Sequence, residues 1–469
     1  MGLPQKGLAA ADVLAEIRAL RDADLPTHGG HLFAYVYDPA LPGLDELTQA
    51  AHGLAGHVNG LDPTAFPSLL ALENALVADA ASLLGGGPGT VGNVTGGGTE
   101  SLLLAVKAAR DSRPDVAAPR LVVPATAHAA FAKAAHYLGV ALDTVPVVNL
   151  RADAEAIGAA IGPDTVLVAA SAPSYAHGVV DPIPEIAAVA AERGVRFHVD
   201  ACFGGWVLPY LRRLGADLPD FDLSVPGVTS ISVDLHKYAY TPKGVSVLLH
   251  RSEELRLPQY FAYAGWPGYT MINAGVSSTR SGGPIAAAYA AVRHIGDDGY
   301  LHLAEAAQSA VHILAGAVNA TDGVHLAAEP ETTVVCLGAD DGVDLFVLAD
   351  ELSARGWHTQ PQLSYGNLPA TIHLTVTAAV APTAADFGPA LADAVAATRE
   401  RGPVQLPPLP ALTPAEVTPA LIRTLAEALG VGTGDGMAGV NTLLDAATPA
   451  LREALLTAFL SFLQHPAWD

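Results

Sequence analysis

Short β-branched runs at 120–124, 144–148, 164–170, 195–201, 229–235 and 244–250 are separated by alanine-rich stretches with helical spacing. Strands alternating with helices predict an α/β fold whose large domain is a doubly wound, mostly parallel sheet covered on both faces. Helical spacing also marks 10–21 and 66–84, the latter with Leu69, Leu70, Leu72, Leu76 and Val77 set among Glu73, Asn74 and Asp79. Between them, 22–65 reads as an irregular arm rich in Gly, Pro, His and Tyr. After a helical passage through 301–319, strand-like 332–338, helix-like 343–356 and strand-like 371–377 predict a smaller α/β unit. Prolines at 403, 407, 408, 410, 414 and 419 make 402–419 an extended connector, and two helical patterns finish the chain. The expected division is an N-terminal arm over 1–65, a large domain over 66–320 and a C-terminal small domain over 321–469.

Composition narrows the function. With 469 residues, 51% of them apolar, the chain has material for two or three units and is not disordered as a whole. Its 24 basic against 47 acidic residues give a net charge of −23, and no basic tract offsets this, so nucleic acid and anionic membranes are not expected partners. Cys202 and Cys336 are too few for a disulfide framework, and no secretion signal opens the chain, which gives a cytoplasmic reading. Stretch 301–320 is broken by Glu305, and 121–142 carries Pro124, two histidines and Lys133, so no membrane span is expected.

Three segments carry candidate chemistry. Eight of the fourteen residues 85–98 are glycine, followed at once by the helical pattern SLLLAVKAAR. Glycine lets backbone amides approach an anion, and a helix N-terminus adds free N–H groups, so this is a candidate phosphate cradle. It is not a nucleotide P-loop, since no Gly-Lys-Ser/Thr occurs, and with no clear strand before it the dinucleotide fingerprint is weak. Taken alone it is equally a flexible turn. In VRFHVDACFGGW (195–206), Asp200 falls near the C-terminal end of a strand, the edge where open α/β sheets bind ligands. A carboxylate there needs a cationic or N–H partner, although alone it also reads as a solvated strand end or a helix cap.

In TSISVDLHKYAYTPKG (229–244), a strand delivers Lys237 just as it ends, and Lys243 follows in a turn-like segment. A lysine in an apolar wall is expected to have its pKa pushed down and can form an imine with an aldehyde. Surface placement is the ordinary reading of a lysine, but the chain holds only five of them. His28 and His31 are spaced like metal ligands without companion Cys or carboxylates, so no metal is expected. Cys202 and Cys336 read as packing residues.

Together TGGGTES (95–101), SAPSYAHGVVDPI (171–183), HVDACFGGW (198–206), SISVDLHKYAYTPKG (230–244) and the region around STRSGG (278–283) resemble, in order, the pyridoxal-phosphate-dependent decarboxylase and sphingosine-1-phosphate lyase-like enzymes of the aspartate-aminotransferase fold. HKYAYTPKG, VYDP after the arm, and GMAGVNTLLDAATPALREALLTAF look more like the lyase branch. The resemblance implies that Lys237 holds pyridoxal phosphate as a Schiff base, that Asp200 keeps the pyridine nitrogen protonated, and that His128 stacks on the ring. It implies Gly97, Gly98, Thr99 and His236 at the cofactor phosphate, with Ser278 or its neighbours reaching in from a second subunit, hence a homodimer with shared active sites. Tyr37, Tyr175 and Lys243 match positions that bind the substrate phosphate or assist proton transfer.

The implied reaction cleaves a phosphorylated amino alcohol to an aldehyde and a phosphorylated amine. One departure stands out: VNGLDP (58–63) aligns Asn59 but puts Asp62 where the lyases have a phosphate-contacting histidine, and a carboxylate facing a phosphate is repulsive. HLFA (31–34) likewise replaces an Arg-Val-Ser-Gly segment. The alternative activity is amino-acid α-decarboxylation, for which Arg280 is the candidate cation for the substrate carboxylate. A non-catalytic scaffold would have no physical reason to keep Lys237, Asp200 and His128 in this order.

Overall fold

The computed structural model describes residues 3–406, 412–428 and 436–464. Its main sheet has seven strands, β1 (Val91–Thr95), β2 (Arg120–Pro124), β3 (Ala141–Val145), β4 (Thr165–Ser171), β5 (Arg196–Asp200), β6 (Val228–Asp234) and β7 (Ser246–His250), in the order β1-β7-β6-β5-β4-β2-β3. β7 runs antiparallel to both of its neighbours, and the remaining pairs are parallel. The apolar runs explain the placement: every residue of β4 and β7 is buried, as a strand covered by helices on both faces requires.

The expected α/β fold is therefore present, with differences that have local causes. β1 lies inside the glycine-rich segment, where Gly92 and Asn93 mask its β-branched residues. β3 begins three residues earlier than the apolar run suggests and ends at Val145, because Pro146 cannot continue a ladder. The arm is not wholly irregular. Beyond α1 (Ala10–Arg21) it contains α2 (Leu44–Ala55), which packs against a long helix, Gly282–Ala320, kinked where Gly296 has φ 66°. α3 (Pro67–Leu83) matches its predicted span to within a residue at each end, and α4 (Gly98–Asp111) and α5 (Ala130–Leu138) follow β1 and β2.

A hairpin of β8 (Phe261–Tyr263) and β9 (Met271–Asn273) leads into the long helix. Beyond that helix, β10 (Val324–Leu326), β11 (Val334–Ala339), β12 (Gln360–Gln362) and β13 (Thr371–Thr375) form an antiparallel sheet in the order β10-β11-β13-β12. Phe33 of the arm is fully buried in this smaller core beside Trp357 and Phe387. The chain closes with three helices rather than two, Pro419–Ala428, Ala438–Ala446 and Pro449–Leu463. The centre of the proline connector, 407–411, lies outside the described residues. No helix among the described residues is long and apolar enough to cross a membrane.

Candidate active site

Parallel strands β2, β4, β5 and β6 end on one edge of the sheet, and the ladder aligns Ser171, Asp200 and Ser232 there. A cavity of about 720 Å³ opens at that edge, lined by Gly96–Glu100, His128, Tyr175, Asp200, Asp234, His236, Lys237 and Lys243 among others. Residues separated by well over a hundred positions in sequence thus share one wall. Of the sequence candidates, His128, Tyr175, Asp200, Lys237, Lys243, Gly97, Gly98, Thr99 and His236 all line it.

Lys237 sits in the turn that follows β6, and its Nζ lies 2.9 Å from Asp234 Oδ2 and 5.9 Å from the centre of the Phe203 ring. Burial works to push the ammonium down, yet Asp234, with Asp200 further off, holds it above its ordinary value. The expected downward shift is therefore overturned: the wall is not apolar at this point, because a buried carboxylate stands in it. Asp234 itself is only 3% exposed. Burial raises its pKa, but Lys237 first and His236 second bring it below the usual carboxylate value.

Asp200 is 6% exposed, and its Oδ1 accepts a hydrogen bond from the Cys202 backbone N–H at 3.1 Å. Cys202 has its thiol pushed well up by burial and the nearby carboxylates, which suits packing rather than attack. The His128 ring accepts from the Ala130 N–H through Nδ1 at 3.1 Å, which leaves Nε2 to carry the proton of a neutral ring. Tyr175 stacks on His373 with ring centres 4.5 Å apart and donates its hydroxyl to Gln360 Oε1 at 2.6 Å.

The cradle is fastened by a chain of hydroxyls. Thr95 Oγ1 meets Ser101 Oγ at 2.7 Å, Ser101 meets Ser246 Oγ at 3.1 Å, and Ser246 donates to Val233 O at 3.0 Å. Gly98 begins α4, so the N–H groups of its first turn lack intrahelical acceptors, and Gly97, Gly98 and Thr99 at that start line the cavity. A Cβ at Gly98 would stand 2.9 Å from both Asp234 oxygens and from Cys202 Sγ. Glu100 accepts from the Gly96 N–H at 2.6 Å and from the Val276 N–H at 2.7 Å, clipping the segment after β9 to the cradle.

Lys243 keeps solvent contact through the cavity, and its Nζ sits 5.1 Å over the Tyr37 ring. The surrounding cleft and the charge of Lys237 push its ammonium down to about 8. Tyr37 lines not the main cavity but an adjoining one of about 650 Å³, which shares His236 and Lys243 with it. Burial, Tyr175 and Asp234 raise the Tyr37 phenol well above its ordinary value.

Besides Tyr37, four sequence candidates are not among the residues lining this cavity: Asn59, Asp62, Ser278 and Arg280. Asn59 turns back to accept from the Leu61 N–H at 3.1 Å. Asp62 is exposed and holds the Thr64 N–H and hydroxyl at 2.8 and 2.6 Å, as an Asx turn does, so it faces no phosphate here. Ser278 lines a second cavity, which it shares with Ser277, while Val276 and Ser277 line the main one. Arg280 is committed elsewhere: it donates to Glu73 Oε1 at 2.9 Å and to Val94 O at 2.7 Å, with Glu73 4% exposed. Sequence reading also missed Asp234, Glu100, Gln360 and His373. Only Asp234 left a signal, as the acidic residue three places before Lys237.

The residues present fit pyridoxal phosphate: an amine for its aldehyde, a carboxylate at a strand end for its ring nitrogen, and a helix start with close-set glycines for its phosphate. Comparison with known proteins agrees. Residues 28–339 match the pyridoxal-dependent decarboxylase conserved domain, and 403–462 match the pyridoxal-dependent enzyme C-terminal putative HTH domain. The chain is 38% identical over 379 residues to sphingosine-1-phosphate lyase 1 of Rattus norvegicus, covering 80% of this chain and 66% of that one. Against the sphingosine-1-phosphate lyase of Arabidopsis thaliana it is 36% identical over 413 residues, covering 86% and 75%. The solved sphingosine-1-phosphate lyase of Burkholderia pseudomallei K96243 superposes with a TM-score of 0.80 at 34% identity, covering 85% of this chain and 93% of that one. With its fold, its cavity and two thirds of its length in agreement, the chain belongs to the pyridoxal-dependent decarboxylase family.

Proposed function

We propose that this protein is a pyridoxal-phosphate-dependent carbon–carbon lyase that cleaves a phosphorylated long-chain amino alcohol to an aldehyde and a phosphorylated amine. The observation that carries the reading is the disposition of cations. Among the described residues no carboxylate lies within ion-pair distance of Lys243 Nζ, and Lys243 shares the cavity with Lys237, whereas Arg280 is held by Glu73. A free ammonium suits a substrate phosphate, and the cation that a decarboxylase reading assigns to a substrate carboxylate is already neutralised. Asp62, the residue that argued against a phosphate, is folded onto Thr64.

When bound, the cofactor supplies an electron sink for the carbanion left on the substrate carbon. Lys237 is the residue proposed to hold it as a Schiff base, Asp200 to keep its ring nitrogen protonated, and His128 to cover its ring face. Gly97, Gly98, Thr99 and His236 are proposed at its phosphate. Lys243 and Tyr37 orient the substrate phosphate, and Tyr175 or a released Lys237 moves the hydroxyl proton.

A homodimer with shared active sites is part of the proposal. Phe261, Tyr263, Trp266, Tyr269, Ile272 and Val276, on and beside the β8–β9 hairpin, are all at least 40% exposed, and Val276 and Ser277 reach the cavity. A patch of this kind marks an interface, and Ser278, on the segment that follows the hairpin, is the residue proposed to reach the partner's site. No nucleic-acid role is proposed for the C-terminal helices. Residues 403–462 carry two arginines and no lysine against five acidic residues, the wrong sign for a phosphate backbone. The proposed location is the cytoplasm.

The test incubates the purified protein with pyridoxal phosphate and measures aldehyde release from sphingosine 1-phosphate beside carbon dioxide release from an amino-acid panel. Aldehyde is expected; carbon dioxide with no aldehyde defeats the lyase reading. Replacement Lys237→Ala is expected to remove both turnover and the yellow colour, and a coloured, active K237A protein would overturn the site assignment.

A further inference from the structure

Two buried carboxylates face one cavity, and the lysine chooses between them. Lys237 Nζ is 2.9 Å from Asp234 Oδ2, while no Asp200 oxygen lies within ion-pair distance of it. Asp234 is 3% exposed, and its Oδ1 has no hydrogen-bond partner. That oxygen borders Gly98, where the cradle passes so close that no side chain fits. A buried carboxylate with one oxygen unpartnered is costly unless a charge compensates it. Among the described residues the cations near enough to Asp234 are Lys237, 2.9 Å from Oδ2, and, when protonated, His236 at 3.6 Å from the same oxygen.

We propose that Asp234 is a positioning residue for Lys237, holding its ammonium at the cavity floor and away from Asp200, so that Asp200 stays free for the cofactor ring nitrogen. The proposal rests on Lys237 being the cofactor lysine, and it adds a function for a carboxylate that this assignment leaves unused. Without Asp234, Lys237 would have Asp200 as the remaining buried acid lining the cavity, since Glu100 is held by the Gly96 and Val276 N–H groups, and pairing with Asp200 would block the seat of the ring. The groups facing the pair from each packed element are His236 on the same turn, Asp200 at the end of β5 and Cys202 just after it, Tyr175 after β4, Lys243 on the following loop, and Tyr37 from the arm. Of these, His236 is biased neutral by burial and Cys202 stays a thiol, which leaves Asp234 as the anion in contact with Nζ.

Competitive acetylation of the cofactor-free protein, read peptide by peptide by mass spectrometry, tests this without using activity. The amine labels only when neutral, so each lysine reports its own titration, and five lysines are few enough to separate. In the unmodified protein Lys237 is expected to titrate above the ordinary lysine value of about 10.4. With Asp234→Asn its labelling at neutral pH is expected to rise at least about tenfold, one pKa unit or more. Asp234→Glu restores the original titration, and Asp200→Asn moves it less than Asp234→Asn does. Ordinary or lower titration of Lys237 in the unmodified protein overturns the proposal even if the Asn variant does not fold. Labelling in Asp234→Asn that rises no more than in Asp200→Asn also overturns it. Colour retained by Lys237→Ala would instead sink the cofactor assignment on which the proposal rests.

Discussion

Gly98→Ala and Gly87→Ala make a controlled pair, because both glycines lie in one glycine-rich run and only one is structurally confined. At Gly98 the added methyl would stand 2.9 Å from two Asp234 oxygens and from Cys202 Sγ, with the carboxylate buried and paired to Lys237. At Gly87 nothing lies within 4 Å. Overpacking of this kind costs about 1–3 kcal/mol. Alanine's better helix propensity returns under about 1 kcal/mol at the first helical residue. From the middle of the overpacking range, about 2 kcal/mol, that return leaves about 1–2 kcal/mol of strain on the Asp234–Lys237 pair and the cradle; where that strain is relieved by opening the cradle, capture of pyridoxal phosphate weakens roughly 5- to 30-fold at 1.4 kcal/mol per factor of ten. Gly87→Ala is expected within about 0.5 kcal/mol of the unmodified protein. Equilibrium titration with pyridoxal phosphate, followed by visible absorbance, measures both. Equal affinities for the two variants would show that the cradle does not depend on the close approach of Gly98 to Asp234.

Three further outcomes are expected. Lys243 loses its charge as pH climbs through about 8, so KM for a phosphorylated substrate should rise above that pH in initial-rate assays. Lys243→Arg should abolish that rise, since a guanidinium stays charged throughout. Arg280→Ala leaves the buried Glu73 carboxylate without its ion pair; a loss of about 3 kcal/mol in urea denaturation is expected, and a loss under about 0.5 kcal/mol would mean that the pair is not holding β1 to the loop before the long helix. Tyr175→Phe leaves Gln360 Oε1 without its donor. It should cost about 1 kcal/mol of stability, with pyridoxal phosphate capture unchanged by absorbance titration.

What the chain reveals and what it conceals divides along physical lines. Strands β2, β4, β5, β6 and β7 announce themselves because burial on both faces forces continuous apolar runs, which any reading by periodicity detects. β1 does not, since two of its five positions are glycine and asparagine, chosen for close approach rather than for strand propensity: a Cβ at Gly92 would meet Leu248 O at 2.6 Å. α2 hides in the arm because its stability comes from packing on the distant long helix, information that no local window contains.

The site follows the same division. Lys237, Asp200 and the glycine cradle stand in ordered motifs, so sequence finds them. Their partners come from tertiary geometry: Gln360 and His373 reach Tyr175 from the small sheet, nearly two hundred residues away. Glu73 reaches Arg280 from α3. Those long-range pairings invert two inferences drawn from residue type alone. Arginine near the site looks like a carboxylate receptor until a buried glutamate occupies it. Lysine in a β-strand wall looks like a depressed amine until a neighbouring aspartate holds its charge. In both cases the deciding quantity is not the identity of the cation but whether an acid has already claimed it, which among the described residues leaves Lys243, beside Lys237, and Lys133, over the Tyr137 ring, as the cavity-lining ammonium groups without an acid partner.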